Sequence, residues 1–480
     1  MLRSIPSILS IRKKKVPDPH LLTAEQVAVW RPYPIPVASD LPLDNNRERM
    51  RRNGQWAPWQ MIGRRMAIGC VALEITQRCN LDCSYCYLSE SSEALKDIPL
   101  EEVFRRIDLI HAHYGPGTDV QVTGGDPTLR DRDELIAIVA AIKRKGMRSS
   151  LFTNGIKASR ELLADLSAAG LEDVAFHIDM TQARAGFDSE AALNRVREEY
   201  VARARGLPLA VIFNTTVFPG NFHEVPALAR FFIAHADVVR FASFQIGADT
   251  GRGTERARVT VNSETVKEAI RQGAGAPLNF DAASAGHADC NGYAYGLIIN
   301  GRMHDFFNEP LFVQEILATS AHLRMDRARR LSIWKTVATY LLTHPRIFVG
   351  IVARAFRLAR QEWRALFRAR GRVGKLSFFV HNFMDASTLN HARCDACSFM
   401  VMSAEGPISM CVHNAKRDHY LLQPSRIERE NKLLYFNPVT GVLEDRMPGK
   451  IVVALNRKTA RGRAKDVAQH DKSDLARAAE

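Results

Sequence analysis

Hydrophobic and polar positions between residues 71 and 246 fall into short apolar runs that alternate with longer amphipathic stretches. A short apolar run bounded by turn residues is typical of a buried strand, and apolar residues at helical spacing are typical of an amphipathic helix. The pattern predicts strands at 71–76, 120–123, 148–153, 174–180, 209–218 and 238–246. It predicts helices between them at 100–113, 131–145, 159–169, 189–205 and 221–235. Because alternating strands and helices build parallel sheets, these units predict an α/β fold, a partial (β/α)6 barrel of the TIM type.

The rest of the chain divides by composition. Residues 1–65 are rich in proline and charge and are interpreted as an N-terminal extension with little structure of its own. The barrel is assigned to residues 66–255. The segments after it are a linker with Cys290 at 256–323, a basic helical insertion at 324–375, a C-terminal cysteine-bearing auxiliary domain at 376–455 and a disordered tail at 456–480. A chain of 480 residues has room for about two or three such domains.

Residues 347–370 are predicted to form one amphipathic helix. Its polar stripe consists of residues spaced three or four apart, namely Arg354, Arg357, Gln361, Arg364 and Arg368. The opposite side carries Phe348, Val352, Phe356, Trp363 and Phe367. Arginine opposite tryptophan and phenylalanine is the composition of a helix that lies in a membrane interface.

The net charge of +14 is concentrated in this insertion. Residues 324–375 carry twelve Arg and two Lys against Asp326 and Glu362, so the rest of the chain is close to neutral. Three interpretations remain open: a helix packed on the barrel with a solvated basic face, a helix on an anionic membrane surface, and an RNA-binding surface. No RNA-binding module accompanies the arginines, which disfavours nucleic acid. The sequence has no run of about 18 uncharged apolar residues, so any membrane contact is expected to be peripheral.

The eight cysteines supply the candidate chemistry. The first residues lack the apolar core of a secretory signal, so we expect a cytoplasmic, reducing location in which cysteines are metal ligands rather than disulfides. Cys79, Cys83 and Cys86 follow the first predicted strand with C-x3-C-x2-C spacing. Iron–sulfur clusters are the usual occupants of such cysteine-only sites, and three thiolates leave one iron of a cubane cluster free for another ligand. A zinc site that lacks its fourth ligand, or a chance spacing, is the alternative.

The run from Cys79 to Cys86, with Tyr85 before the third cysteine, resembles the cluster-binding loop of the radical S-adenosylmethionine (SAM) superfamily. The resemblance implies a partial (β/α)6 barrel with this loop at its C-terminal face. It also implies a [4Fe–4S] cluster on the three cysteines, with SAM chelating the open iron. One electron, from a reductant such as flavodoxin or ferredoxin, would then cleave SAM to a 5′-deoxyadenosyl radical that abstracts a substrate hydrogen.

The same resemblance extends to the ends of the later strands. Gly124, Gly125 and Asp126 lie where the family has a Gly-Gly-Glu segment for the SAM amino group, with Asp in place of Glu. The family binds the rest of SAM at further strand ends, which implies cofactor-binding roles for Tyr85, Asn154, His177 and Asp179. Other polar candidates for the same cavity are Asn214, Thr215, Ser243, Gln245 and the segment 249–253.

Four other cysteines form a candidate auxiliary metal site: Cys290, Cys394, Cys397 and Cys411. Cys394 and Cys397 have the C-x2-C spacing of metal knuckles. The piece from Gly406 to Cys411 resembles part of a SPASM or twitch auxiliary domain, although the full seven-cysteine SPASM set is absent. A second [4Fe–4S] cluster, a zinc or rubredoxin-like iron, and no metal at all remain the alternatives. His413 is near enough in sequence to replace one thiolate, and Cys70 is expected to be a core residue.

The sequence thus predicts a radical SAM enzyme of unknown substrate. The leading hypothesis is hydrogen abstraction from a lipid or another hydrophobic metabolite, with the basic helix holding the barrel mouth at an anionic membrane. Modification of a peptide or RNA by the same chemistry is one alternative, and a non-catalytic iron–sulfur sensor is another. No side chain stands out in the sequence as the group that quenches the product radical.

Overall fold

The computed structural model describes residues 20–36, 41–250, 261–323 and 330–453. Two short helices, α1 (Ala24–Val29) and α2 (Pro42–Arg52), precede the barrel. Its first six strands are β1 (Cys70–Thr76), β2 (Asp119–Gly124), β3 (Arg148–Thr153), β4 (Leu171–His177), β5 (Ala210–Val217) and β6 (Val239–Ile246). The helices that alternate with them are α3 (Leu100–Tyr114), α4 (Arg132–Arg144), α5 (Arg160–Ala169), α6 (Glu190–Ala204) and α7 (Val225–Ala234). Every strand and helix predicted between residues 71 and 246 is present, with shifted ends.

The elements after the barrel are mostly short. They begin with α8 (Ser263–Ala274), β7 (Asn291–Ile299), β8 (Arg302–Asp305), α9 (Pro310–Thr319), α10 (Arg330–Thr343) and α11 (Pro345–Arg368). They continue with β9 (Val373–Asn382), α12 (His391–Asp395), β10 (Phe399–Met402), β11 (Pro407–Ser409), α13 (Met410–Ala415) and α14 (Arg417–Leu421). A separate three-stranded sheet follows, made of β12 (Ser425–Arg429), β13 (Lys432–Phe436) and β14 (Leu443–Glu444).

The main sheet extends beyond the six predicted strands. Its order is β11-β10-β1-β2-β3-β4-β5-β6-β9-β7-β8, and all neighbours from β10 to β9 are parallel. Strands from the C-terminal region therefore pair with both edges of the (β/α)6 unit. The predicted boundary at residue 255 therefore does not divide the main sheet, which includes β10 and β11 from the predicted auxiliary domain. A strand's pairing partner is distant in sequence, so hydrophobic periodicity could not indicate it.

The inner and outer faces of the strands differ in composition. In β1, Val71, Leu73 and Ile75 belong to the large hydrophobic core, whereas Cys70, Ala72 and Glu74 line a cavity. Alternate side chains of a strand point to opposite faces, so one face packs against the helices and the other faces the barrel interior. The barrel therefore encloses a space that the polar residues of its strands can reach.

The two outermost parallel strands meet through aromatic side chains. The Phe399 ring of β10 lies 5.8 Å from that of Phe379 and 4.5 Å from that of His381, both in β9, between ring centroids. Phe383 stacks near the same histidine at 4.0 Å. Among the described strands, β9 and β10 do not pair with each other; each pairs on its outer side with an antiparallel strand, β9 with β7 and β10 with β11, so this aromatic seam is where the two parallel ends of the sheet meet.

The N-terminal segment is attached to the C-terminal region, contrary to the prediction of an extension with little structure. The Leu22 amide donates to the Leu389 carbonyl at 2.7 Å, and the Tyr33 amide donates to the Pro407 carbonyl at 2.9 Å. Arg49 in α2 is buried beneath this contact. Prolines suggested an extended chain, but they do not prevent it from being fixed by backbone hydrogen bonds to another segment.

Within the described residues, no single helix is long and apolar enough to cross a membrane. Helices α10 and α11 pass that test only as a pair, and their axes are bent by 109° at the break between them.

Candidate functional site

The three cysteines of the C-x3-C-x2-C run lie in the loop that follows β1. Cys79, Cys83 and Cys86 are partly exposed, and all three line a cavity of about 780 Å³ inside the barrel. Within the described residues, no three His, Cys, Asp or Glu side chains are arranged to hold a single metal ion. In a cubane cluster each thiolate binds a different iron, so sulfurs that surround a space rather than a point fit a cluster.

The two glycines after β2 allow close backbone packing against the cluster loop. A Cβ on Gly124, which has a φ of 136°, would lie 1.9 Å from the Thr76 carbonyl oxygen. A Cβ on Gly125 would lie 2.0 Å from the carbonyl oxygen of Arg78, the residue before Cys79. The expected reason for these glycines was close approach to a ligand, and the structure adds a second reason, which is close approach to the chain itself.

Asp126 is buried and does not line the cavity. Its carboxylate accepts hydrogen bonds from the Thr153 hydroxyl at 2.8 Å, the Asn154 amide at 2.8 Å and the Thr128 amide at 3.0 Å. The predicted contact of this carboxylate with the SAM amino group is therefore not supported by its position. Its hydrogen bonds instead join the end of β2 to the end of β3.

Asn154 links that junction to the cluster loop. Its side-chain amide donates to the Asn80 side chain at 2.6 Å and lies 3.9 Å from the Cys79 sulfur. Asn154 also lines the cavity, in agreement with the predicted position at a strand end. Asp126, Asn154 and Cys79 thus form a short chain of contacts that orients the loop.

His177 and Asp179 are paired, but only the histidine lines the cavity. The His177 Nε2 lies 2.7 Å from the Asp179 carboxylate, which is fully buried and also accepts from the amides of Thr181 at 2.9 Å and Thr216 at 2.7 Å. Burial alone would lower the pKa of His177, but the Asp179 carboxylate raises it above its usual value. Burial would raise the pKa of Asp179, but His177 and these hydrogen bonds lower it to about 2. Asp179 is a residue that holds His177 in place, and direct contact with SAM is not supported.

Tyr85 lies at the edge of the cavity between the ends of β5 and β6. Its ring centroid is 5.4 Å from that of Phe218, and a Cβ on Gly247 would lie 3.0 Å from its ring. Thr250 donates to the Cys86 carbonyl at 3.4 Å from the same side. Asn214, Ser243 and Gln245 line the cavity as well, as do His177 and Thr216. Thr215 is buried on the other face of its strand, and residues 251–253 lie outside the described ranges.

Tyr87, Glu74 and Arg417 form a group that connects the site to the C-terminal region and that was not predicted from the sequence. The Tyr87 hydroxyl donates to the Gly124 carbonyl at 2.8 Å, and the Arg417 guanidinium lies 4.6 Å from the centroid of the Tyr87 ring. Arg417 also forms an ion pair with Glu74. Burial raises the pKa of Tyr87 and would raise that of Glu74, but Arg417 holds the pKa of Glu74 below its usual value. The signal in the sequence was Glu74, a carboxylate within the otherwise apolar strand β1.

The structure brings the four cysteines of the candidate auxiliary site together. Burial raises the pKa of the Cys394 thiol, and its neighbours Cys411, Cys397 and Cys290 raise it further. Burial and the nearby Cys397 and Cys290 likewise raise the pKa of Cys411 to about 12. The auxiliary metal site on these four cysteines therefore stays a prediction, with a [4Fe–4S] cluster, a zinc or rubredoxin-like iron, and no metal as its alternatives.

Two arginines lie beside these thiols. The Arg393 Nε donates to the Cys290 sulfur at 3.4 Å. The buried Arg49 of α2 donates to the carbonyls of Asp395 and Cys397, both at 3.1 Å. Cationic donors near thiolate sulfur stabilise the deprotonated form that a metal site requires.

Two further residues complete the account of predicted ligands. His413 is buried with Glu74 and Arg417, and burial lowers its pKa to about 3. It therefore belongs to the Glu74 group rather than to the cysteines. Cys70 is buried, as expected of a core residue, but it lines the cavity.

The inner part of the cavity combines aromatic walls with a charged end. The aromatic lining comes from strands β6, β7, β9 and β10 and the segment after β9: Phe241, Tyr293, Tyr295, Phe379, Phe383 and Phe399. At the starts of β2, β3 and β4, Arg148 lies 3.2 Å from the Asp119 carboxylate and 3.4 Å from that of Asp173. A volume of this size is typical of a pocket that encloses a small molecule.

Comparison with known proteins identifies the domain that carries the site. The sequence model of the radical SAM superfamily matches residues 73–232. The PqqA peptide cyclase of Xanthomonas euvesicatoria is 35% identical over 164 residues, which are 33% of this chain and 42% of the cyclase. The 7,8-dihydro-6-hydroxymethylpterin dimethyltransferase of Methanocaldococcus jannaschii is 28% identical over 199 residues, which are 39% of each chain.

These matches leave much of each protein uncovered, since the chain spans about two fifths of the length of the curated relatives. A solved structure of methylornithine synthase overlaps 52% of this chain and 73% of that chain, with a TM-score of 0.33 and 14% sequence identity. The matched residues hold the three-cysteine loop, the glycine pair, Asn154 and His177. Residues 73–232 are thus a domain of the radical SAM superfamily, whose members bind a [4Fe–4S] cluster and SAM.

Proposed function

We propose that this protein is a radical SAM enzyme that abstracts hydrogen from a hydrophobic substrate held inside its barrel. Cys79, Cys83 and Cys86 would hold the catalytic [4Fe–4S] cluster, which supplies one electron for cleavage of SAM to a 5′-deoxyadenosyl radical. The observation that carries the proposal is that all three thiols and the glycine pair line one cavity of the barrel. A protein reductant such as flavodoxin or ferredoxin would supply the electron.

The chain's own residues would position SAM and exclude water. Asn154 fixes the loop through Asn80, and the backbone at Gly124 and Gly125 lines the cavity next to it. Tyr85 and His177 approach the same space from the ends of other strands. His177, oriented by a buried carboxylate, can donate a hydrogen bond to a ribose or carboxylate oxygen of SAM.

The substrate class follows from the lining of the cavity. Phe241, Phe379 and Phe399 line the interior, and the neutral residues Ser243, Gln245 and Ser377 lie among them. An apolar wall excludes competing water from a reactive radical and favours a substrate with an unactivated C–H bond. A lipid or another hydrophobic metabolite fits these walls, and Lys375 or Arg240 at the charged end can bind an anionic head.

We further propose that Cys290, Cys394, Cys397 and Cys411 hold a second [4Fe–4S] cluster. Four cysteine ligands leave no iron open, so this cluster would carry electrons or support the fold rather than bind SAM. The support for it is the mutual proximity of the four thiols and the presence of Arg393 at the Cys290 sulfur.

Peptide modification is a second candidate function. It is favoured by one observation, the 35% identity over 164 residues to a PqqA peptide cyclase. That match covers 42% of the cyclase, so the activity of the whole cyclase is a proposal for this chain. Turnover of an added precursor peptide, with no turnover of lipid extracts, would support this candidate over the hydrophobic metabolite.

The test is anaerobic reconstitution followed by iron and sulfide analysis and by detection of 5′-deoxyadenosine after addition of dithionite. We expect about eight irons in the wild type and about four in the Cys79→Ala/Cys83→Ala/Cys86→Ala variant, with 5′-deoxyadenosine from the wild type alone. The matched control is Cys70→Ala, a cavity cysteine outside both sets, which should keep the iron content and the cleavage of SAM. A full complement of cluster without cleavage of SAM would contradict the enzyme and favour a sensor.

A further inference from the structure

The apolar side of helix α11 faces away from the barrel. Of its 24 residues, Phe356 is 68% exposed, Trp363 is 60% exposed and Phe367 is 83% exposed. A soluble amphipathic helix would place these side chains against the core and only its charges in water. Helix α10 repeats the pattern with Trp334, which is 72% exposed. The helix pair therefore presents a continuous apolar stripe to its surroundings.

The side of α11 that rests on the protein is a different and narrow one. Ile347 is the buried residue of this helix. Arg354 lies 3.5 Å above the Phe312 ring of α9 and forms an ion pair with Glu309. Glu362 faces Arg302 of β8 at 3.7 Å. These contacts fix the orientation of the helix, so the outward position of the aromatic residues is held by ion pairs on the inner side.

Basic residues flank the exposed stripe. Arg360, Arg364 and Arg368 are exposed, and they form no ion pair with any residue that the structure describes. The Arg364 guanidinium lies 5.2 Å from the centroid of the Trp363 ring, so it borders the apolar stripe. Its positive charge therefore faces the same surroundings as the aromatic rings.

We propose that α10 and α11 form a docking surface for an anionic lipid bilayer. The apolar stripe would enter the acyl region of one leaflet, and the arginines would contact lipid phosphates at its edge. The bend of 109° between the helices places them in the plane of an interface rather than across it. This inference is independent of the proposed function, since it needs neither SAM nor an iron–sulfur cluster.

Other occupants fit this surface less well. A second copy of the chain would bring two arginine-rich faces together, which repel each other. RNA would satisfy the arginines but would leave aliphatic residues such as Val349 and Val352, which are 64% and 49% exposed, in water. A bilayer satisfies both sets of side chains at once.

The location of this surface connects it to the cavity. Helix α11 ends at Arg368, β9 begins at Val373, and Lys375 of β9 lines the cavity. A bilayer bound to α11 would therefore lie beside a strand of the barrel wall.

The test is co-sedimentation of the reconstituted full-length protein with phosphatidylcholine vesicles, with and without phosphatidylserine. We expect binding only to vesicles that contain phosphatidylserine, and weaker binding as salt is added. Arg364→Glu/Arg368→Glu should reduce the partition coefficient by more than about tenfold. Phe356→Ser/Phe367→Ser should also reduce it, and the remaining binding should become more sensitive to salt because the apolar part has been removed.

The matched control is Arg144→Glu/Arg230→Glu, which makes the same change of charge at exposed positions of α4 and α7. This variant should bind vesicles nearly as well as the wild type. The inference is overturned if the wild type stays in the supernatant with phosphatidylserine at low salt, or if the control loses as much binding as the α11 variant. The inference is also overturned if the wild type forms a dimer that Phe356→Ser/Phe367→Ser abolishes. Binding of a structured RNA by a wild type that does not bind the vesicles would overturn it as well. Circular dichroism of each variant checks that the fold is intact, which we expect because the substituted side chains are exposed.

Discussion

At the scale of single residues, two buried carboxylates join the ends of neighbouring strands through their hydrogen bonds. Asp126 and Asp179 lie at strand ends, where the resemblance to known enzymes implies contact with SAM. In the folded chain their oxygens are occupied by backbone amides, hydroxyls and His177. The sequence could locate these residues at the correct edge of the sheet. It could not show the direction of their side chains, because the donors come from other strands.

The first prediction concerns Asp126. Replacing it with Ala leaves the Asn154 amide and the Thr153 hydroxyl without their acceptor, so the free energy of unfolding should fall by about 1–3 kcal/mol. Urea denaturation monitored by circular dichroism measures this change. A variant of unchanged stability that no longer binds SAM would instead establish Asp126 as a direct ligand.

The second prediction concerns pH and the pair of His177 and Asp179. Because the pKa of His177 is raised in the folded protein, its contribution to stability is complete below pH 6.5 and is lost as pH rises through the folded-state value. The pKa of Asp179 is lowered from 3.8 to about 2, so its contribution is present above 3.8 and is lost on acidification toward 2. His177→Gln should therefore lower the melting temperature most near pH 5 to 6, and less at alkaline pH. An equal loss at every pH would show that the charge of the pair contributes nothing.

At the scale of secondary-structure elements, local pattern and distant pairing account for different parts of the fold. Strands β1 to β6 were predictable because each is a short apolar run beside an amphipathic helix. The places of β9 and β10 beside β6 and β1 were not predictable, since they depend on pairing across more than a hundred residues. The sequence left the surroundings of α11 open, and in the structure its aromatic residues face outward.

The third prediction tests the junction of β2 with the cluster loop. In Gly125→Ala the new methyl group would overlap the Arg78 carbonyl, so the loop must move and the iron bound after reconstitution should fall by about half. Gly449→Ala is the control, because a methyl group at that position meets nothing within 4 Å. Equal iron content in the two variants would mean that the glycine is needed for the ligand and not for the loop.

At the scale of the whole molecule, the C-terminal region is part of the barrel and of the candidate second cluster. Residues around Cys394, Cys397 and Cys411 border β10, and Arg417 reaches Tyr87 beside the glycine pair. The N-terminal helix α2 contributes Arg49 to the same region. Sequence composition predicted that the N-terminal and C-terminal segments are distinct from the barrel, whereas in the structure both segments contact it.

The fourth prediction follows from this joining. A chain cut to residues 66–255, the predicted barrel, would expose the edges of β1 and β6 that β10 and β9 cover. It should aggregate, while the full chain stays monodisperse in size-exclusion chromatography under the same conditions. A soluble, compact fragment would show that the outer strands are dispensable.

The fifth prediction separates the two candidate clusters. Cys394→Ala/Cys397→Ala should remove about four irons but leave reductive cleavage of SAM in place, since the loop after β1 is not touched. Iron analysis and release of 5′-deoxyadenosine are measured on the same sample. Loss of both would mean that these cysteines are needed for the fold of the catalytic site.

The aromatic seam gives the barrel wall one place where it is weakest. Parting any other pair of neighbouring strands would break backbone hydrogen bonds and leave their donors and acceptors unpaired. Parting β9 from β10 breaks no backbone pairing between strands; it separates the rings of Phe379, His381 and Phe399 and breaks the hydrogen bond from Arg393 to the Asn382 carbonyl. We therefore expect the wall to open here before any hydrogen-bonded strand pair separates, and an opening in the wall would admit a long molecule from the side.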